Sequence, residues 1–382
     1  MTWLIRFSDV GKVVRVGLAA LLSLLLLLWL LLSPGRTDDG SGGAAAHRRV
    51  LARFDPEELD TSDPATRREL CRQHGWTPFK RAEGRKVYDL IMINTELDWL
   101  EIRLNTTYDY VDHFVVVESR KTFTNRDKPL VIRDNMDRFA AYRDKIVYHE
   151  LVIPDGFHSD RANPAWAWED LQRDAMYRQV FPKLTGSQTP VYGDVIIVAD
   201  VDELLRPEAL IVLKECNYPR RLTLRSDMYY YSYQFLHKGN QWAHPQATYY
   251  QGWRTIYPTN LRNADGAPPP LVRLEAGELW SSGWHCSTCF ATVAEVLNKM
   301  SSFSHIWLNQ EAYRDPARIV DHVRAGRDLW DRPGEEYDRI DGNRDVPPLL
   351  LLEQERDGPN ARFAHLLSRD GPSAGFTDYP SQ

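Results

Sequence analysis

Lysine and arginine never gather into a long run here, and the 47 basic residues are outnumbered by 53 acidic ones, for a formal net charge of -6. Without basic clusters interleaved with aromatics, nothing is built to track a phosphate backbone, so nucleic acid is not expected as a partner. Cysteine is scarce too, with only Cys71, Cys216, Cys286 and Cys289. Cys286-Ser287-Thr288-Cys289 could be half of a zinc or redox site, but no second Cys-x-x-Cys or His-x-His pair completes a ligand set. The even number can pair in an oxidising compartment, in a connectivity that sequence does not reveal. No Gly-x-x-x-x-Gly-Lys loop is present, which argues against phosphate-cradling phosphoryl or nucleotidyl transfer, and no internal repeat is found.

Long apolar runs are confined to one, Val16 to Leu32. At about 1.5 Å per residue it spans roughly 26 Å, enough to cross a thin membrane. A cleaved signal peptide fits less well, because the run exceeds an ordinary h-region and the triplet Ala44-Ala45-Ala46 lies well past its end. Arg6, Lys12 and Arg15 face Arg36, Arg48 and Arg49 across the run, so charge alone hardly orients it. The short N-terminal tail and the dilution by Asp38 and Asp39 favour a cytosolic N-terminus. The expected order is a cytosolic tail at 1–15, a transmembrane signal anchor at 16–32, a flexible stem at 33–70, a catalytic domain at 71–370 and a disordered tail at 371–382. The stem rests on the Gly, Ser, Ala and Asp of 33–46. The sequon Asn105-Thr106-Thr107 suits a lumenal body.

From Val87 the apolar period reads as strand, helix, strand: Val87 to Ile93, Glu96 to Tyr108, then Phe114 to Val117. A strand at 145–152 and a helix from Pro164 to Val180 follow. Val195 to Ala199 is apolar without interruption, as a strand covered on both faces must be, and runs straight into Asp200-Val201-Asp202-Glu203. Pro207 opens another helix, and 221–226 and 229–235 read as further strands. Alternation of this kind predicts an α/β fold with an open, mostly parallel sheet flanked by helices, whose ligands bind beyond the carboxyl ends of the strands.

Acids at that position suit a hard divalent cation that neutralises a departing diphosphate. Asp202 is the expected direct metal ligand, Asp200 meets the metal through water or meets a ribose, and Glu203 supports them. The competing reading has these acids cap the helix at Pro207. Asn94 and Glu96 are candidates for the nucleoside, Glu118, Thr122 and Lys128 for base or ribose, and Arg173 for the diphosphate as a bidentate donor. His285 and His305 are candidate additional metal ligands. Tyr230, Trp242, Trp253 and Trp284 offer faces for sugar rings.

Four stretches together resemble glycosyltransferase family 17: Asn94-Thr95-Glu96-Leu97-Asp98-Trp99-Leu100-Glu101-Ile102-Arg103, Phe114 to Ser119, Ala199-Asp200-Val201-Asp202-Glu203-Leu204 and Gly283-Trp284-His285-Cys286-Ser287-Thr288-Cys289-Phe290. With Arg362 to Leu367, the similarity runs from about 85 to 370. The resemblance implies a GT-A-like fold, a UDP-sugar donor, a cation such as manganese, and inverting transfer of N-acetylglucosamine to a glycan such as the β-linked mannose of N-glycans, in the Golgi lumen of a type II membrane protein. It places Asp200 and Asp202 in the metal and diphosphate role and sets Glu118 and Trp284-His285-Cys286 in the family pattern. Thr288 departs from the tryptophan of the animal enzymes, and 241–277 also differs, so acceptor binding transfers least. Inversion needs a base to take the acceptor proton, for which Glu278, Asp227 and Asp315 are the candidates, Asp315 also suiting an N-cap before Pro316. A non-catalytic carbohydrate-binding protein of the same fold is the alternative.

Overall fold

The computed structural model describes residues 49–81 and 83–380. The expected tail at 1–15, the anchor at 16–32 and the start of the stem lie outside them, and among the described residues no helix is long and apolar enough to cross a membrane. The chain forms two compact units. The described part of the smaller is 267–275, with a short helix at Pro269–Glu275. Everything below belongs to the larger, Arg48–Gly266 with Ala276–Gln382.

Its elements run α1 (Pro64–Gln73), β1 (Val87–Met92), α2 (Leu97–Thr107), β2 (His113–Glu118), β3 (Ile146–Glu150), α3 (Ala165–Arg178), β4 (Val195–Asp200), β5 (Glu203–Leu205), α4 (Pro207–Glu215), β6 (Arg221–Tyr230), β7 (Ser232–His237), β8 (Gln246–Tyr249), α5 (Pro258–Arg262), β9 (Ala276–Ser287), α6 (Val293–Ser302), α7 (Pro316–Ala325) and β10 (Tyr337–Arg339). They build one ten-stranded sheet in the order β10-β7-β6-β8-β4-β1-β2-β3, with β9 pairing β5 and β6.

Half of this sheet follows the expected plan. Strands β4, β1, β2 and β3 are parallel, with Leu90 opposite Val198 and Met92 opposite Asp200. Strand residues alternate between faces. Ile91, Ile197 and Ala199 pack with Trp99, Leu100 and Ile102 of α2, whereas Leu90, Met92, Ile196 and Val198 pack with Ala175 and Met176 of α3. That double cover is why β4 reads as an unbroken apolar run.

The other half corrects the expectation of a mostly parallel sheet. Strand β8 joins β4 and β6 antiparallel, and β6-β7, β7-β10 and β5-β9 are antiparallel as well, leaving β6-β9 as the parallel exception. The sheet is therefore mixed. The anticipated strands at 221–226 and 229–235 are redivided: β6 runs unbroken to Tyr230, and Tyr231, at φ +64°, turns the chain into β7.

Folded structure also reaches further at both ends. Leu51 donates its backbone N–H to Trp280 at 2.8 Å, Trp280 donates to Arg49 at 2.8 Å, and Leu51 is buried. Residues 49–70, expected as stem, thus pack on the body, and Asp63 caps α1 through the N–H groups of Ala65 and Thr66. Cys71 is bonded to Cys216, and Cys286 to Cys289. In the tail expected to be disordered, Ala374 and Phe376 are buried and Asp378 accepts from the first turn of α6.

Candidate active site

Strand β4 ends where it must for a site. The register that sets Met92 opposite Asp200 brings the ends of β1 and β4 side by side, and Val201 donates to the Met92 carbonyl at 3.0 Å. Buried Arg103 of α2 fixes this corner. It grips Asp89 with two 2.6 Å hydrogen bonds and donates to the carbonyls of Asp200 at 3.1 Å and Glu203 at 2.6 Å. The acids do not cap the next helix: Arg206 is its N-cap and no side chain serves there.

Around this corner lies a cavity of ≈ 280 Å³. Asn94 and Glu96 beyond β1, Asp200 at the end of β4 and Asp202 beyond it, His285 on β9 and Lys299 on α6 all line it. The two motif acids differ in their partners. Asp200 Oδ1 accepts from Arg173 at 2.9 Å and Oδ2 from Arg262 at 2.9 Å. Asp202 Oδ2 pairs with the Lys299 ammonium at 3.3 Å, and its Oδ1 lies 3.7 Å from His285 Nδ1. Arg173, expected to reach a diphosphate, instead sits behind Asp200, only 2 % exposed and shared with Glu169.

Glu203 turns inward. Its carboxylate accepts from its own turn at Asp200 N (2.9 Å), from Trp242 Nε1 (2.8 Å) and from both ends of the Arg262 guanidinium. Fully buried and outside the cavity lining, it is a brace for the turn.

On the nucleoside side, Glu96 accepts from the backbone N–H groups of Asn94 and Thr95 at 2.9 and 2.8 Å. Asn94 donates to Ser302 at 2.9 Å while its side-chain oxygen Oδ1 is buried without a partner among the described residues, an acceptor available to a ligand N–H. Glu118 and Lys128 are elsewhere. Glu118 is buried, accepts from Ile132 N, Arg133 N and Tyr148 Oη, and pairs with Lys128 at 3.5 Å, so the two brace the loop after β2 outside the cavity lining. Phe123 lines the cavity, while Thr122 is absent from the lining and accepts from Arg126 N.

Alternation along β9 sorts its motif. His285 and Ser287 face the cavity, while Trp284 and Cys286 face the core. Trp284 is therefore no sugar platform: Arg206 stacks on it at 4.1 Å and Asp345 accepts its indole N–H. His285 stacks on Trp242 at 4.9 Å and donates through Nδ1 to the Asp202 carbonyl at 3.2 Å, since a carbonyl can only accept. That leaves Nε2 for a ligand. Tyr230, Trp242 and His305 also line the cavity, whereas Trp253 stands 92 % exposed away from it.

The base candidates fall outside. Asp315 caps α7 through Arg318 N at 3.1 Å, Glu278 is paired with Arg225 and the Trp280 indole, and Asp227 is held by Arg206 and Gln241. Sequence reading missed Arg262, Lys299 and Arg332, three cations at the site. A signal existed only for Lys299, which shares the inward face of α6 with Val296 and Met300.

Among the described residues no group of three or more His, Cys, Asp or Glu is poised to hold a metal. The donor set still suits a hard cation, because such ions are commonly held by one or two carboxylates and completed by substrate phosphates. Asp202 and His285, which both line the cavity, are the groups that would hold it.

The model of Glycosyltransferase family 17 matches residues 59–343. The human β-1,4-mannosyl-glycoprotein 4-β-N-acetylglucosaminyltransferase is 27% identical over 309 residues, covering 72% of this chain and 55% of its own length. The rat and mouse proteins of the same name are each 27% identical over 305 residues, covering 72% of this chain and 54% of theirs. The chain thus spans about half the length of these curated relatives. The match of the family model across most of the folded body, with the acids at the end of β4 inside it, makes this chain a member of glycosyltransferase family 17.

Proposed function

We propose that this chain is an inverting glycosyltransferase that moves N-acetylglucosamine from UDP-N-acetylglucosamine to a glycan. The observation that carries the reading is the meeting of Asn94 and Glu96 with Asp200 and Asp202 at adjacent carboxyl ends of parallel strands, in one cavity. Asn94 and Glu96 serve the nucleoside, and Asp202 faces the diphosphate. A divalent cation, manganese by family analogy, would be held by Asp202, His285 Nε2 and diphosphate oxygens, and would supply Lewis-acid neutralisation of the leaving group. The acceptor oxygen attacks the anomeric carbon, the carbon–oxygen bond to the β-phosphate breaks with its electron pair leaving on UDP, and the acceptor hydroxyl gives its proton to solvent. Asp200, immobilised by Arg173 and Arg262, keeps the Asp202 turn in place.

An acceptor sugar has Tyr230, Trp242 and Trp330 as apolar faces in the same cavity. Thr288 lines it too, so acceptor choice follows this chain's own residue there. The two disulfides suit an oxidising lumen, in keeping with a body held in the Golgi by an anchor at 16–32.

The test is hydrolysis and transfer by the full chain across a panel of UDP-sugars, with and without manganese. Manganese-dependent turnover of UDP-N-acetylglucosamine is expected, falling by about 10²-fold or more in Asp202→Ala. No turnover with any donor overturns the reading and favours a carbohydrate-binding role, and full activity in that variant overturns the metal-dependent site at Asp202.

A further inference from the structure

The cation that faces Asp202 in this structure belongs to the protein. Lys299 extends from α6 so that its ammonium lies 3.3 Å from Asp202 Oδ2, with the rings of Phe290 and Phe303 at 5.4 and 5.7 Å. Its setting differs from that of the cations on Asp200. Arg173 and Arg262 are planar forks, each spanning Asp200 and a second carboxylate, Glu169 or Glu203. Such forks are fixed in geometry, whereas an ammonium on a four-carbon stem is a point charge free to re-aim. Lys299 makes a single hydrogen bond to Asp202 rather than a two-pronged one, and both residues line the cavity.

A divalent cation and an ammonium compete for one carboxylate, because each neutralises the same charge. A diphosphate changes the balance, since it brings negative oxygens that attract both. Resting on the transferase reading above, we propose that Lys299 is an exchangeable cation of the donor site: it neutralises Asp202 while the site is empty and turns to the nucleotide diphosphate when donor enters, releasing Asp202 to the metal. Metal and nucleotide then bind with positive coupling, and the coupling is reciprocal by thermodynamic necessity. The metal enters weakly alone because it must displace the ammonium, and tightly with nucleotide because the ammonium has a new partner.

The experiment uses the full chain with Mn²⁺ and UDP as probes. Mn²⁺ affinity without nucleotide is read by electron paramagnetic resonance, and UDP affinity with and without Mn²⁺ by calorimetry, for the wild type, Lys299→Met and Lys299→Arg. In Lys299→Met, Mn²⁺ alone binds about 10-fold tighter, UDP without metal binds about 10-fold weaker, and the coupling between them shrinks. In Lys299→Arg, whose fork pins Asp202 more firmly, Mn²⁺ alone binds more weakly than in the wild type. This variant decides the matter if Lys299→Met fails to fold. Wild-type Mn²⁺ and UDP affinities in the folded variants overturn the proposal and leave the transferase reading standing. A wild type that binds neither UDP nor UDP-sugars overturns the transferase reading itself.

Discussion

Arg262 holds Glu203 in a two-pronged grip, Nη1 donating to Oε2 at 2.7 Å and Nη2 to Oε1 at 2.7 Å. The same guanidinium reaches Asp200, so one cation serves two acids beneath the site. Burial would raise the Glu203 carboxyl, but the charge and hydrogen bonds of Arg262 outweigh it and hold the group well below the ordinary carboxylate range.

Removing that guanidinium leaves two carboxylates without it, one of them fully buried. Arg262→Met is expected to cost about 3–5 kcal/mol in urea unfolding, the range for breaking a buried pair from one side. Adding Glu203→Gln should recover part of the loss, because a neutral amide tolerates burial better than an unpaired charge. A single variant as stable as the wild type would remove Arg262 from its bracing role.

His365 gives the pH prediction. Burial, aided by nearby Arg369, pushes its imidazole down to about 3 from an ordinary 6.5. A lowered histidine means that, below pH 6.5, the unfolded chain binds a proton that the folded one refuses, so stability falls as pH drops from 6.5 toward 3. The steepest contribution is about 1.4 kcal/mol per pH unit. His365→Leu should flatten the stability profile between pH 6 and 4 by up to that slope. Parallel profiles for the two proteins would contradict the assignment.

What the sequence made legible follows from range. Val195 to Ala199 announced a doubly covered strand because burial on both faces removes every polar choice, and the acids at its end were exposed to inference for the same reason. Arg262 was hidden, because a basic residue on a helix ordinarily reads as solvated until the fold supplies its partners, whereas the helical period set Lys299 beside Val296 and Met300 and left only its partner Asp202 to the fold. Glu278 illustrates the reverse case: it stood at a plausible distance along the chain, and only three-dimensional pairing assigned it to Arg225, whereas Asp315 already read as an N-cap before Pro316 and is one.

Those two acids supply a prediction of their own. Asp315→Ala loses an N-cap and is expected to cost about 1 kcal/mol in stability. Glu278→Gln weakens a partly exposed ion pair, expected to be worth under about 1 kcal/mol. Neither group lines the donor cavity, so UDP-sugar turnover by each should match the wild type. A large fall in turnover with stability retained would return the residue to the list of bases.

Gly283 ties the motif on β9 to the acids. It lies opposite Leu205, where β9 crosses β5, and a Cβ built on it would meet the Leu204 carbonyl oxygen at 2.1 Å. The obstacle is backbone, so no rotamer can relieve it and the two strands must part. Two residues on, His285 pairs with Glu203 in the same ladder and donates to the Asp202 carbonyl, so parting the strands there shifts the imidazole away from the turn that carries the motif acids. Gly283→Ala is therefore expected to cost about 1–3 kcal/mol from overpacking, by thermal or urea unfolding. It should also lower UDP-sugar turnover below that of a variant equally destabilised at a remote site, such as the N-cap variant Asp315→Ala compared at a matched fraction folded. Equal turnover in the two would mean that the β5-β9 contact supports the fold without positioning His285.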